Sequence, residues 1–334
     1  MVAAVVVFLA ICLLQPNQVS SFGSCGQRSP SSRVVGGSQA QQGSWPWQIE
    51  LLISRSPDLK SFVHRCGGTL IDLQWVVTAA HCVFMFPTPE HYKVVVGQIH
   101  RAEVKEPENR YIYNVTSVRI HEEYMTRGYG FDVALVKLAR PVMLEAGKVW
   151  PACLPEQGNR VSIGELCYIT GWGKTSSNLT SYFSKVLREA KMPVVDYQTC
   201  ADGNAILPYA QVDDDTMLCA GYGGSSVISG CHGDSGGPFV CQENRRWVLR
   251  GAVSWGDDRC RGGSTFSVFA RISSFVDWIS ATKEKPEQSI AIGESCRDDL
   301  PHCKKWSLAK FCGNLWYGNY MKLFCRKSCE HCTD

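Results

Sequence analysis

Three short segments carry side chains that together could perform nucleophilic catalysis on an acyl group. Ser235 lies in the segment GDSGGP, His81 ends the segment VVTAAH, and Asp132 directly precedes the apolar run VALVKL. A serine hydroxyl is a weak nucleophile at neutral pH, so it needs a histidine within hydrogen-bond reach and a carboxylate that orients that histidine. The glycines around Ser235 let a substrate approach the backbone, whose N–H groups could then stabilise a developing oxyanion.

Each of these segments, taken alone, has an ordinary structural explanation. A glycine-rich turn is common in β-proteins, and a histidine after two alanines is often a core residue. An aspartate before a strand is most often a cap or turn residue. Catalysis is therefore indicated by the joint occurrence of His81, Asp132 and Ser235.

The segments that must position these residues are short and rich in Val, Ile and Leu, and Gly, Pro and Asn separate them. They comprise residues 48–53, 93–96, 133–138, 186–192 and 248–255. This pattern predicts an all-β, antiparallel sandwich or barrel without choosing between the two. Apolar residues at helical spacing over 275–279 predict an amphipathic helix that ends the large domain.

Composition and the N-terminal residues indicate a secreted globular protein. The chain is 45% hydrophobic and 19% charged, and its net charge of +3 is too small to argue for nucleic-acid binding. Residues 2–14 are almost wholly apolar, which is too short to span a bilayer and is typical of a signal peptide. We expect a signal peptide over residues 1–21, an extracellular location and no transmembrane segment.

Two surface features concern modification and metal binding. Asn114 and Asn178 each begin an Asn-X-Thr tripeptide, which predicts glycosylation in a secreted protein. Glu103, Glu106 and Glu108 offer carboxylates to a structural calcium ion, but a solvated acidic loop explains them better. We therefore expect no metal ion and no other cofactor.

The cysteines divide the chain into two regions. Of 17 cysteines, Cys12 would leave with the signal peptide, and the remaining even set can pair fully. Those in residues 25–260 are scattered, whereas those in 296–332 are crowded, and a linker is predicted over 284–295. The segment CEHC at 329–332 could form half of a zinc site, but an oxidising compartment favours disulfides.

The segments WVVTAAHC, DVALVKL, CYITGWG, GDSGGP and VSWG occur in this order, and residues 34–283 resemble the chymotrypsin-like, trypsin-fold serine peptidases. The resemblance implies two six-stranded antiparallel β-barrels with a C-terminal helix. It implies that His81 transfers protons, that Asp132 orients His81 and that Ser235 attacks the substrate. The N–H groups of Gly233 and Ser235 would form the oxyanion hole.

The same resemblance implies a specificity pocket beside the nucleophile. Ser229 would lie at its floor, and Gly256 and Ser267 would form its walls, as in chymotrypsin-like elastases with open pockets. A neutral floor cannot compensate a buried Arg or Lys, so we expect cleavage after Leu, Met, Phe and Tyr. Ser254 would support Asp132 from behind.

The segment SSRVVGG resembles the activation site of this family. Residues 22–33 would form a propeptide, and a separate trypsin-like protease would cut after Arg33. The freed α-amino group of Val34 would then pair with Asp234 and draw Gly233 into oxyanion-hole geometry.

Disulfide pairing in the large domain follows from the resemblance alone. The implied pairs are Cys25–Cys153, Cys66–Cys82, Cys167–Cys241, Cys200–Cys219 and Cys231–Cys260. The first of these would keep the propeptide attached to the peptidase after cleavage.

Residues 296–332 resemble the ShKT module, named for a sea-anemone potassium-channel toxin. The resemblance implies the pairs Cys296–Cys332, Cys303–Cys325 and Cys312–Cys329. Toxin activity rests on a Lys-Tyr pair that here is Asn319 and Tyr320, with Lys322 displaced, so a docking or accessory module is favoured. Trp316 and Tyr317 could contact a partner or a glycan matrix, or could serve folding alone. The competing hypothesis is a non-enzymatic binding protein or toxin carried on a peptidase fold.

Overall fold

The computed structural model describes most of the chain, comprising residues 25–28, 38–56, 58–101, 110–124, 129–175, 182–207, 211–224, 228–257, 260, 263–286, 296–299, 302–308, 310–313 and 318–332. The predicted signal peptide and the segment with Arg33 and Val34 lie outside the described residues. No helix within the described ranges is long and apolar enough to cross a membrane.

The described chain is mainly β-structure. Its strands are β1 (Ser38–Gln39), β2 (Gln48–Ile53), β3 (Val63–Leu70), β4 (Trp75–Thr78), β5 (Tyr92–Val96), β6 (Ile112–Ile120), β7 (Ala134–Leu138), β8 (Leu166–Gly171), β9 (Arg188–Val195), β10 (Met217–Ala220), β11 (Pro238–Glu243), β12 (Arg246–Trp255) and β13 (Ser267–Arg271). Its α-helices are α1 (Ala80–Val83), α2 (Tyr197–Asn204), α3 (Val276–Glu284), α4 (Cys303–Leu308) and α5 (Gly318–Phe324). Short 3₁₀ helices occur at Pro89–His91, Ile272–Ser274 and Phe311–Gly313.

The first barrel is closed in the strand order β2-β3-β4-β7-β6-β5, and its pairings are antiparallel. The register of β4 on β7 pairs Thr78 with Ala134. Because His81 follows the end of β4 and Asp132 precedes the start of β7, this pairing brings the two side chains to the same edge of the barrel.

The second barrel follows the order β8-β9-β10-β13-β12-β11 and is closed where β11 and β9 both pair with β8. Strand β1 pairs with the start of β9, at Arg188 and Glu189. Helix α3 ends the peptidase region and buries Ile279. The predicted all-β fold with two six-stranded barrels and a C-terminal helix is confirmed.

The two barrels pack on each other through tryptophans. The ring of Trp45 lies 6.0 Å from that of Trp47 and 5.1 Å from that of Trp247, both in edge-on contact. Strand β2 is buried along its whole length, unlike a strand that exposes one face to solvent. Glu50 is therefore buried although it is charged, and such a group requires a partner.

Disulfide bonds fasten the loops of both barrels and the C-terminal region. They join Cys25–Cys153, Cys66–Cys82, Cys167–Cys241, Cys200–Cys219, Cys231–Cys260, Cys296–Cys332, Cys303–Cys325 and Cys312–Cys329. These are the pairs that the two resemblances imply. Both cysteines of the CEHC segment are bridged, so neither offers a thiolate to zinc.

The C-terminal region is built from α4, a 3₁₀ turn and α5 around its own three disulfides. Asp298 fixes the last turn, since its carboxylate accepts hydrogen bonds from the backbone N–H and the hydroxyl of Ser328. Cys303, Met321 and Cys325 are buried. So small a core depends on its disulfides.

Candidate active site

His81 and Asp132 form a hydrogen-bonded pair at the edge of the first barrel. The imidazole Nδ1 lies 2.8 Å from Asp132 Oδ2, and the backbone N–H of His81 donates to Asp132 Oδ1 at 2.9 Å. Because Nδ1 donates to the carboxylate, Nε2 is the ring nitrogen that can accept a proton. The His81 side chain is 28% exposed and can reach a substrate, whereas that of Asp132 is 5% exposed.

Asp132 remains ionised despite its burial. Ser254 Oγ donates to Asp132 Oδ2 at 2.6 Å, as expected from the sequence. Burial alone would raise the pKa of Asp132, but the charge of His81 and the hydrogen bonds from His81 and Ser254 outweigh burial and lower this pKa. The carboxylate can therefore orient the imidazole and stabilise an imidazolium.

The turn that carries Ser235 is held between strand β3 of the first barrel and strand β12 of the second. The Ser235 carbonyl accepts from Gly67 N–H at 2.8 Å, and Gly236 N–H donates to the Val253 carbonyl at 2.7 Å. Gly236 has φ of +72°, and a Cβ there would collide with the Thr78 hydroxyl at the end of β4. Only glycine permits this close approach.

Gly233, the expected oxyanion-hole residue, also needs to be glycine. Its φ is +97°, and a Cβ would lie 2.9 Å from the ring of Phe183. Its carbonyl lies 3.1 Å from Nε2 of His64. A hydrogen bond to the carbonyl restricts rotation of this peptide segment and so helps to fix the direction of the neighbouring N–H groups.

His64 and Glu50 lie next to Gly233, and the sequence analysis identified neither residue. His64 Nδ1 lies 2.9 Å from Glu50 Oε1, and the two side chains are 1% and 2% exposed. Both ring nitrogens thus face acceptor oxygens, so the imidazole links Glu50 to the Gly233 carbonyl. The available signal was an acidic residue inside the apolar run QIELLI of β2, which implies a buried cationic partner.

Asp234 lies on the second barrel in a different environment. Its Oδ1 accepts from Gly173 N–H at 2.7 Å, and its Oδ2 accepts from Cys231 N–H at 3.0 Å. A Cβ on Gly171 or Gly173 would collide with this carboxylate. Burial raises the pKa of Asp234 to about 6, although the two backbone hydrogen bonds oppose that rise.

The expected specificity residues lie together beside this turn. Ser267 is 6% exposed, and its hydroxyl accepts from the N–H of Gly230, the neighbour of Ser229. A Cβ on Gly230 would lie 3.1 Å from Ile169 Cδ1. At Gly256 the nearest atoms to a Cβ would be 3.8 Å away, so the backbone leaves room beside it. Neither Ser229 nor Ser267 carries charge.

The remaining predicted sites are only partly described. Asn114 is exposed on β6, where a glycan could be attached. Asn178, the acidic residues at 103, 106 and 108, and the activation residues Arg33 and Val34 lie outside the described residues. So do Trp316 and Tyr317 of the C-terminal region.

Comparison with known proteins agrees with this geometry. A family model described as Trypsin matches residues 34–279, and one described as ShK domain-like matches residues 295–332. Chymotrypsin-C from Bos taurus is 39% identical over 263 residues, covering 77% of this chain and 92% of that protein. Coagulation factor XI from Bos taurus is 36% identical over 257 residues, covering 76% of this chain and 38% of that protein.

Proposed function

Because the chain belongs to the trypsin family of serine peptidases, we propose that it is a secreted endopeptidase, made as a zymogen, that cleaves after medium to large apolar residues. The observation that carries the proposal is the His81–Asp132 pair. His81 Nδ1 lies 2.8 Å from Asp132 Oδ2, and the Ser254 hydroxyl donates to the same carboxylate oxygen. Ser235 is the nucleophile, His81 the general base and acid, and Asp132 the group that orients His81.

The reaction proceeds through an acyl-enzyme. His81 Nε2 accepts the proton of the Ser235 hydroxyl while Oγ attacks the carbonyl carbon of the scissile bond. The carbonyl oxygen becomes an oxyanion that accepts hydrogen bonds from the N–H groups of Gly233 and Ser235. The C–N bond then breaks as His81 returns the proton to the leaving amine, and a water molecule repeats these steps to release the acid.

Asp234 supports the zymogen part of the proposal. Its described donors are backbone N–H groups, and burial raises its pKa to about 6 although these hydrogen bonds and the nearby His64 and His232 oppose the rise. Cleavage after Arg33 would supply the α-ammonium group of Val34. An ion pair between Val34 and Asp234 would favour the charged carboxylate and order the oxyanion loop.

The pocket residues support cleavage after Leu, Met, Phe and Tyr. A guanidinium at Ser229 would lose its hydration without gaining a carboxylate, which costs several kcal/mol. The apolar neighbours Ile169 and Val253 lie close to the adjacent Gly230 backbone. Such a pocket would also bind the side chain of Arg33 poorly, so activation requires a separate trypsin-like protease.

The test is a peptide panel on activated enzyme. The zymogen is cleaved with trypsin, the trypsin is inactivated, and kcat/KM is measured on peptides that differ only in a Phe, Leu, Ala, Arg or Glu before the cleaved bond. We expect Phe and Leu to exceed Arg. Ser235→Ala should remove nearly all turnover, and Ser229→Asp serves as the matched pocket variant and should favour Arg. A wild-type preference for Arg contradicts the proposed specificity.

A further inference from the structure

The C-terminal module contacts the peptidase domain next to His81. Tyr320 on α5 stacks on Phe84, with ring centroids 4.2 Å apart and planes inclined by 26°. Phe84 directly follows α1, the helix that contains His81. Phe84 and Tyr320 are 4% and 3% exposed, so the stack is enclosed on both sides.

A second contact reaches the segment that leads to Asp132. Tyr124 lies between β6 and β7, and its ring meets Phe84 edge-on at 5.3 Å. Glu123, the residue directly before Tyr124, contacts the module, since its Oε1 lies 3.2 Å from Nε2 of His302. The module therefore touches both loops that carry the His81–Asp132 pair.

The contact is non-covalent, and it joins two hydrophobic cores. Cys303, Trp306, Met321 and Cys325 of the module belong to one continuous buried cluster with Phe84 and the core of the first barrel. All described disulfides of the module are internal to it. Its placement on the peptidase domain thus depends on packing and on the linker.

Helix α1 needs support from outside. It has four residues and no side-chain cap at its N-terminus, so it is too short to hold its own geometry. The Cys66–Cys82 disulfide fixes one side, and Asp132 fixes the His81 backbone. Phe84 lies three residues after His81, so both side chains project from one helical turn and a shift of Phe84 displaces His81.

We propose that the C-terminal module is an intramolecular positioning element, in which Tyr320 holds Phe84 and thereby the His81 turn in catalytic geometry. This inference rests on the proposed role of His81. It differs from a toxin-like role or an outward docking role for Tyr320, because the Tyr320 ring is committed to the peptidase surface. Tyr320 and Phe84 act through His81 and are positioning residues.

The experiment compares Tyr320→Ala, Tyr320→Phe and Phe84→Leu in the full chain after activation. Misplacement of a catalytic group lowers rate rather than binding, so in Tyr320→Ala we expect kcat on an apolar peptide to fall about tenfold with KM little changed. The rate at which a peptidyl chloromethyl ketone alkylates His81 should fall in parallel. Tyr320→Phe keeps the ring and should restore both rates to wild-type levels.

Controls separate position from folding. Leu308→Ala changes a module residue that is 78% exposed and should leave both rates unchanged. Phe84→Leu keeps apolar volume but loses ring stacking, so it provides the same test if Tyr320→Ala does not fold; we expect a smaller fall in kcat. Folded Tyr320→Ala or Phe84→Leu enzyme with wild-type kcat and alkylation rate overturns the proposal. Inactivity of the wild type on every peptide would instead contradict the proposed function.

Discussion

Two enclosed carboxylates, one beside each barrel, differ in how their charge is compensated. Asp132 accepts hydrogen bonds from His81 and Ser254, and these contacts lower its pKa against the effect of burial. Asp234 accepts two backbone hydrogen bonds, and burial raises its pKa to about 6. The His81–Asp132 pair is thus formed among the described residues, whereas we propose that the oxyanion half of the site gains a cation on cleavage.

The contrast supports the proposal that the peptidase is synthesised as an inactive precursor. Preorganised His81 and Asp132 do not suffice for rapid acyl transfer, because the developing oxyanion also needs fixed N–H donors. Asp234 is adjacent to Gly233 and Ser235, so a change in its charge balance acts directly on those donors. We therefore propose that activation changes the turn around Asp234 and leaves the first barrel as it is.

Asp132→Asn tests the compensated carboxylate and should have the largest effect. The amide cannot hold His81 in the required tautomer, and we expect kcat of the activated enzyme to fall about 10⁴-fold. Asp215→Asn is the matched control, because Asp215 is exposed. Stopped-flow or steady-state peptide hydrolysis measures kcat of each variant relative to that of the wild type. A loss below tenfold would mean that the pair has no catalytic role.

Asp234→Asn tests the uncompensated carboxylate. Without the negative charge the Val34 ammonium group has no partner, so cleavage after Arg33 should no longer order the Gly233 N–H. Loss of one oxyanion donor costs about 10²- to 10³-fold in kcat, and we expect a fall of that size. The fall should appear in cleaved enzyme, and full activity of cleaved Asp234→Asn would break the comparison.

Glu50→Gln tests the buried pair that supports Gly233 from the first barrel. A neutral Gln removes the carboxylate that faces His64 Nδ1, so the imidazole is held less firmly against the Gly233 carbonyl. One charge-assisted hydrogen bond is worth about 1.5–3 kcal/mol, and we expect kcat/KM to fall about tenfold. Glu165→Gln, at an exposed glutamate, is the control. Equal activity of the two variants would show that His64 does not act on the oxyanion loop.

The stability of the uncleaved chain should depend on the proton of Asp234. A carboxyl whose folded pKa lies above its unfolded value stabilises the fold while protonated, and this contribution is lost as pH rises through the folded pKa. The relevant window runs from the ordinary value of 3.8 to about 6. As pH rises through this window, we expect ionisation of Asp234 to lower the free energy of unfolding by up to about 3 kcal/mol.

Urea unfolding of the zymogen and of Asp234→Asn from pH 4 to 7 isolates this carboxyl. The free energy of unfolding of the variant is subtracted from that of the zymogen because His121 also titrates in this range. Burial lowers the pKa of His121 to about 4, which makes stability rise with pH. The difference between the two proteins should shrink or vanish after cleavage, since Val34 then compensates the charge. A difference that does not vary with pH contradicts an uncompensated Asp234.

Much of this architecture is predictable because its signals are local. Apolar runs predicted strands at β2, β7 and β12, and the glycines of GDSGGP indicated a turn, in which the structure gives Gly233 and Gly236 positive φ. The choice of barrels over a sandwich came from the family resemblance, since short antiparallel strands suit both.

Contacts between distant segments could not be predicted in the same way. His64 and Gly233 are 169 residues apart, and no local pattern joins them. The stack of Tyr320 on Phe84 depends on how two separately cross-linked domains pack, which strand periodicity does not encode.

The most direct test of the account is acyl-enzyme formation in the uncleavable variant Arg33→Gln, compared with trypsin-cleaved wild type. Burst titration with an apolar ester measures how many chains acylate and how fast. We predict about one acyl group per chain in the cleaved protein and acylation slower by at least about 10²-fold in Arg33→Gln, which lacks a completed oxyanion hole. Equal acylation rates in the two proteins would contradict the claim that the free amino group of Val34 completes the site.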